Sequence, residues 1–110
     1  DLPDDSKLMT EEPFGPIAMI NRFDSLDEAL TEANRLPYGL SAYAYTTSLA
    51  SANRIYNGME SGAISINHHH VALPEQPFGG IKDSGYGVEG GPSALEAFMV
   101  AKFVSISSLV

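Results

Sequence analysis

The sequence has 110 residues, with 14 acidic against 6 basic side chains and a formal net charge of −8. That surplus of negative charge argues against the phosphate backbone of a nucleic acid, or an anionic membrane surface, as a partner. There is no cysteine, so these residues hold no disulfide, thiolate metal site or cysteine nucleophile.

Residues 1–10 are polar and acidic and read as an exposed lead-in. In Glu11-Glu12-Pro13-Phe14-Gly15-Pro16, two prolines around a glycine exclude helix and fix an extended, turned path. The apolar run Ile17-Ala18-Met19-Ile20 has the form of a strand covered on both faces. A helix is expected next. Ser25 and Glu28 have capping-box spacing, and Leu26, Ala29, Leu30 and Ala33 recur on one helical face until Pro37 ends the run. A second strand is expected over Leu40–Thr46. A second helix, capped at Ser48 or Thr47, carries Leu49, Ala52, Ile55, Tyr56 and Met59 on one face. Ala63–Asn67 reads as a third strand. The order β-α-β-α-β predicts an α/β fold with a parallel sheet.

Residues 68–91 have no periodicity, and an aperiodic stretch of that length in a compact domain is usually functional or disordered. Gly79, Gly80, Gly85 and Gly87 crowd one part of it, with Pro77, Phe78, Ile81, Lys82 and Tyr86 among them. So many glycines point to an irregular, tightly packed loop that lines a site or an interface. The apolar anchors Phe78, Ile81 and Tyr86 argue against a flexible linker. A short helix is expected from Pro92-Ser93 to about Met99. Val100–Val110 reads as a last strand with no hairpin neighbour in sequence, and such a strand invites pairing with another chain. The 44% apolar content is ordinary for a globular core, and the length suits one domain or a piece of a larger one. The chain opens on Asp1 without Met, in keeping with a piece. No signal peptide or membrane-length apolar run is present in the sequence, which leaves a soluble, cytoplasmic protein as the expectation.

Four stretches together resemble the C-terminal portion of the NAD(P)-dependent aldehyde dehydrogenase superfamily. Glu11-Glu12-Pro13-Phe14-Gly15-Pro16 is similar to its Glu-Glu-x-Phe-Gly-Pro motif. Asn34 to Ala42 resembles its Asn-x-x-x-Tyr-Gly-Leu-x-Ala segment, and Gly62 to Asn67 its Gly-x-x-x-x-Asn strand. Pro77-Phe78-Gly79-Gly80, with Lys82, Ser84-Gly85, Gly87 and Glu89, resembles its glycine-rich loop. Each piece alone is weak, and four in order carry weight together. The chain departs at Val88, where many members have Arg, and its His68-His69-His70-Val71-Ala72-Leu73 stretch follows no general family pattern. Over Asn67 to Gly91 the likeness is closest to members that act on short semialdehydes of carboxylic acids.

The resemblance implies residues 1–98 as the C-terminal part of a catalytic domain and 99–110 as an oligomerisation strand. It implies oxidation of an aldehyde, a semialdehyde among the candidates, to a carboxylic acid by NAD or NADP through a cysteine thioester. The nucleophile would lie upstream, so this segment alone is expected to be inactive. Glu12 would accept hydrogen bonds from the nicotinamide-ribose hydroxyls, two acceptor oxygens suiting a vicinal diol. Phe14 would pack near the nicotinamide and limit its position. Phe78 would line the aldehyde tunnel, and the loop from His68 through His70, Val71 and Ala72 would shape its mouth. The small Ala72 leaves room for bulkier aldehydes. Glu89 would relay protons, with a purely structural carboxylate as the competing role. The gathered histidines predict no metal site, because adjacent side chains rarely converge on one ion. The opposing reading is a non-catalytic interaction module that docks through its C-terminal strand.

Overall fold

The computed structural model describes residues 2, 3 and 5–108. Leu109 and Val110, the end of the expected last strand, lie outside the described residues. The chain is an α/β structure. Its elements are α1 (Lys7–Thr10), α2 (Leu26–Ala33), β1 (Tyr38–Gly39), β2 (Ser41–Ala44), α3 (Leu49–Gly58), β3 (Ala63–Ile66), β4 (Ile81–Lys82) and a 3-10 helix over Pro92–Phe98.

The centre is the β2-α3-β3 unit. β2 and β3 pair in parallel, from Ser41 opposite Ala63 to Ala44 opposite Ile66. Parallel neighbours need a crossover, and α3 supplies it. Ser48 starts α3 by accepting the Ser51 amide on its hydroxyl at 3.2 Å. Asn67 ends β3 at φ 63°. Its side chain then accepts the Thr46 amide at 2.8 Å and donates to the Thr46 carbonyl at 2.9 Å, so both strand ends are tied together.

α2 begins as the capping spacing predicts, with Ser25 Oγ accepting the Glu28 amide at 3.2 Å. The Glu28 carboxylate reaches one residue further back than a capping box requires, to the Asp24 amide at 2.9 Å. The helix stops at Ala33, four residues before Pro37, because Asn34 takes over its end. Asn34 donates to the Gly58 carbonyl at 2.7 Å and accepts the Glu60 amide at 2.8 Å, which fastens α2 to the end of α3. α2, α3 and β2 border an apolar hollow of about 450 Å3 lined by residues that include Leu26, Leu30, Tyr43, Ile55 and Met59. Ile55 at its base is 7% exposed. Of the face expected on α3, Leu49 and Tyr56 are instead exposed.

Three expectations change. The lead-in contains a helical turn, α1, whose Met9 is buried. Arg35 holds it by donating to the Met9 carbonyl at 2.8 Å. The strand expected at Ile17–Ile20 has no strand partner among the described residues, and Ile20 is 91% exposed. A run fit to be covered on both faces needs neighbours, and the described chain provides none. The same holds beyond the 3-10 helix, where residues 99–108 form no ladder and Phe103 is 91% exposed. The radius of gyration is 19.6 Å, against about 13 Å for a compact chain of this length. No helix among the described residues is long and apolar enough to cross a membrane.

Candidate functional site

The glycine-rich loop is fixed at three points. At its base, Phe78 and Glu89 form an antiparallel bridge, each amide donating to the other's carbonyl at 2.7 Å. In its middle, β4 pairs antiparallel with β1, Tyr38 opposite Lys82 and Gly39 opposite Ile81. Between them, Ser84 Oγ accepts the Gly39 amide at 2.9 Å. The absence of a side chain is a steric necessity at Gly62, where a methyl group would overlap the Gly79 carbonyl. Backbone passes over backbone there, and only glycine permits it.

Lys82 acts on the frame. Its ammonium pairs with Glu60 and donates to the Asn34 carbonyl at 3.4 Å. The loop is thereby joined to the same junction that Asn34 makes between α2 and α3.

Two open clefts flank this loop. Glu12 lines the first, of about 730 Å3, together with residues that include Tyr38, Leu40, Glu60, Asp83 and Ser84. Phe78 and Glu89 line the second, of about 610 Å3, with Leu40, Ser84, Tyr86 and Phe98 among its other walls. Leu40 and Ser84 belong to both, so the β1–β4 region is the partition between them.

The expected site residues therefore fall into three groups. Glu12 is exposed on the first cleft, while Phe14 lines neither cleft and is 94% exposed. Phe78 is half-buried beside the exposed Glu89, and the described hydrogen bonds of Glu89 come from its backbone. In the third group, His70 and Ala72 are exposed and Val71 is half-buried. His68 and His70 stack with ring centres 6.1 Å apart, and His69 and His70 lie 4.5 Å apart. Among the described residues, no three His, Cys, Asp or Glu side chains are placed to hold a metal ion.

Sequence reasoning did not single out Asn34, Ser65 or Ser84 for a role. Ser65, in β3, is 1% exposed, and its hydroxyl lies 2.7 Å from His68 Nδ1. Ser84 sits inside the recognised loop motif, which could have flagged it. A short-range contact such as Ser65–His68 has no signal beyond its spacing of three residues.

The sequence pattern of the Aldehyde dehydrogenase family matches residues 1–104. A 4-(hydroxymethyl)benzenesulfonate dehydrogenase of Comamonas testosteroni is 47% identical over 104 residues, covering 94% of this chain and 22% of that protein. Succinate-semialdehyde dehydrogenase [NADP(+)] 1 of Mycobacterium ulcerans is 46% identical over 89 residues, covering 81% of this chain and 19% of that protein. A crystal structure of betaine aldehyde dehydrogenase from Staphylococcus aureus in complex with NAD+ superposes with a TM-score of 0.88 at 32% identity, covering 93% of this chain and 20% of that one. The chain spans about a fifth of the length of the curated relatives that it matches. Over that span the match is nearly continuous, and the chain belongs to the aldehyde dehydrogenase family.

Proposed function

We propose that this chain is the C-terminal part of an NAD(P)-dependent aldehyde dehydrogenase that oxidises an aldehyde to a carboxylic acid through a cysteine thioester. The nucleophile lies outside this segment, which contains no cysteine. The observation that carries the reading is the family match over residues 1–104. The exposed apolar side chains support it as well. Phe14, Ile20, Val100 and Phe103 are each more than nine-tenths exposed, as surfaces made to meet further polypeptide would be.

NAD or NADP supplies the hydride acceptor. The residues present fit such a group: Glu12 offers an exposed carboxylate on a cleft, and Phe14 a free aromatic face between Pro13 and Pro16. Glu12 accepts from ribose hydroxyls, and the ring of Phe14 limits the position of the nicotinamide. Phe78 provides an apolar wall that keeps bulk water from the reacting carbon, apart from the one water that hydrolysis consumes. His70, Val71 and Ala72 shape the entrance for the aldehyde. Glu89 passes a proton outward during hydrolysis. A semialdehyde is among the substrates proposed, in line with the name of the Mycobacterium ulcerans relative.

Residues 1–98 complete the catalytic domain in this proposal, and 99–110 form a strand that joins copies into a homo-oligomer in the cytoplasm. Support for the strand comes from Val100, Phe103, Val104 and Ile106, all exposed and without a ladder among the described residues. No nucleic acid or membrane partner is expected at a net charge of −8.

The test is to purify the full-length protein that carries this segment and follow reduction of NAD and NADP with a panel of aldehydes. Aldehyde-dependent reduction with release of the acid is expected. No reduction with any aldehyde and either cofactor would sink the proposal.

A further inference from the structure

Gly39, in β1, is buried. Its amide donates to a side chain, Ser84 Oγ, at 2.9 Å and 45 residues further along the chain. Its carbonyl accepts the Gly62 amide at 3.0 Å. A side chain on Gly39 would overlap the Glu60 carbonyl and Ile81, so this peptide is closed in on several sides. On the loop's side, the Asp83 amide donates to the Pro37 carbonyl at 2.8 Å. Ser84 itself packs so closely on Gly80 that a methyl group there would overlap it. Gly85 follows at φ 121°, a conformation open mainly to glycine, and the chain turns away.

The ladder that the hydroxyl extends is short. β1 and β4 hold two residues each, and a pair of that length has little hold by itself. With the Asp83 amide, the Ser84 hydroxyl keeps the loop on β1 past the end of the ladder. Ser84 also lines both clefts, the one with Glu12 and the one with Phe78 and Glu89. Without the hydroxyl, the buried Gly39 amide would lose its acceptor, which is unfavourable. β1 and the loop would shift to satisfy it, and the wall common to both clefts would move.

We propose that Ser84 is a positioning residue whose hydroxyl sets the shared wall of the two clefts, so that one hydrogen bond tunes the cofactor site and the aldehyde site together. The inference rests on the dehydrogenase reading above and adds a residue to its machinery. Small displacements of a binding wall are felt in how well each reactant is held.

The experiment measures both KM values in the full-length protein, with NAD or NADP and with the aldehyde that the parent oxidises fastest in a panel including propanal and benzaldehyde. In Ser84→Ala both KM values are expected to rise about fivefold. Ser84→Thr keeps the acceptor oxygen and is expected to bring both back to within about twofold of the parent. Should Ser84→Ala not fold, Ser84→Cys, close in shape but a weak acceptor, carries the same expectation. Ser48→Ala removes the distant cap of α3 and serves as the control for lost stability alone. Its thermal midpoint is expected to fall with neither KM moved. A rise in only one KM, a rise in neither, or Ser84→Thr behaving as Ser84→Ala overturns the proposal and leaves the dehydrogenase reading standing. So does the failure of both Ser84→Ala and Ser84→Cys to fold, which would make the hydroxyl structural only. A parent that oxidises no aldehyde with either cofactor overturns both.

Discussion

Phe78 and Glu89 face each other as an antiparallel pair, each amide donating to the other's carbonyl at 2.7 Å. The pair closes the glycine-rich loop at its base through backbone alone. The Glu89 carboxylate is left free for other work. Glu89→Gln keeps the bridge, so stability is expected to stay within about 0.5 kcal/mol of the parent. Under the relay role, turnover falls on the order of a hundredfold. Paired unfolding curves and turnover rates of the full-length protein check this. An unchanged turnover would leave Glu89 with its structural bridge only.

The crossing of Gly62 under Gly79 leaves no room for a side chain. In Gly62→Ala the new methyl group meets the Gly79 carbonyl, which belongs to backbone and cannot swing away. Destabilisation of about 2 kcal/mol is expected. The loop carrying Phe78 would shift with it. A lower thermal midpoint together with a raised KM for the aldehyde is the expected result. A midpoint unchanged within error would mean that the two backbone segments part easily.

Asn34 links the ends of α2 and α3 through Gly58 and Glu60, and its carbonyl receives Lys82. Asn34→Ala removes both side-chain bonds at once and is expected to cost about 2 kcal/mol. Asn34→Asp keeps the acceptor for the Glu60 amide but loses the donor to Gly58, so an intermediate loss is expected. Denaturant midpoints with unchanged slopes would register these as changes in stability rather than in the unfolded ensemble.

The parts of this fold that were legible in the sequence are those built from local contacts. Ser25 and Ser48 announce α2 and α3 because a cap acts within one helical turn. The run Ala63–Ile66 announces β3 by its apolar, β-branched content. Ile17–Ile20 and Val100–Ile106 have the same content, but a ladder also needs a partner, and that lies outside any local pattern. α1 escaped notice because Met9 is held by Arg35, distant in sequence. At the site, the glycine loop was legible from its composition. The partition of Glu12 from Phe78 by Leu40 and Ser84 was not, since it depends on how β1 meets β4.

Glu12 stands on a different cleft from Phe78, so its role should be separable from that of the aldehyde pocket. Glu12→Ala removes two acceptor oxygens and leaves the exposed backbone in place. KM for NAD or NADP is expected to rise about tenfold, with KM for the aldehyde unchanged. Steady-state kinetics with each substrate varied in turn reads the difference. A rise confined to the aldehyde KM would remove Glu12 from the cofactor site.

Phe103 and Ile106 are exposed at 91% and 76% on a segment without a ladder among the described residues. Exposed apolar side chains on an unpaired strand are an attachment surface. Aspartate at both positions adds charge where a partner strand would bury apolar area, and each buried charge without a partner costs several kcal/mol. The double variant Phe103→Asp, Ile106→Asp is therefore expected to shift the full-length protein to a smaller assembly in light scattering. α2 and α3 lie elsewhere in the chain, so the helical signal in circular dichroism should persist. If the assembly keeps its mass, copies meet through another surface, and the apolar side chains of residues 99–108 must be covered from within their own subunit.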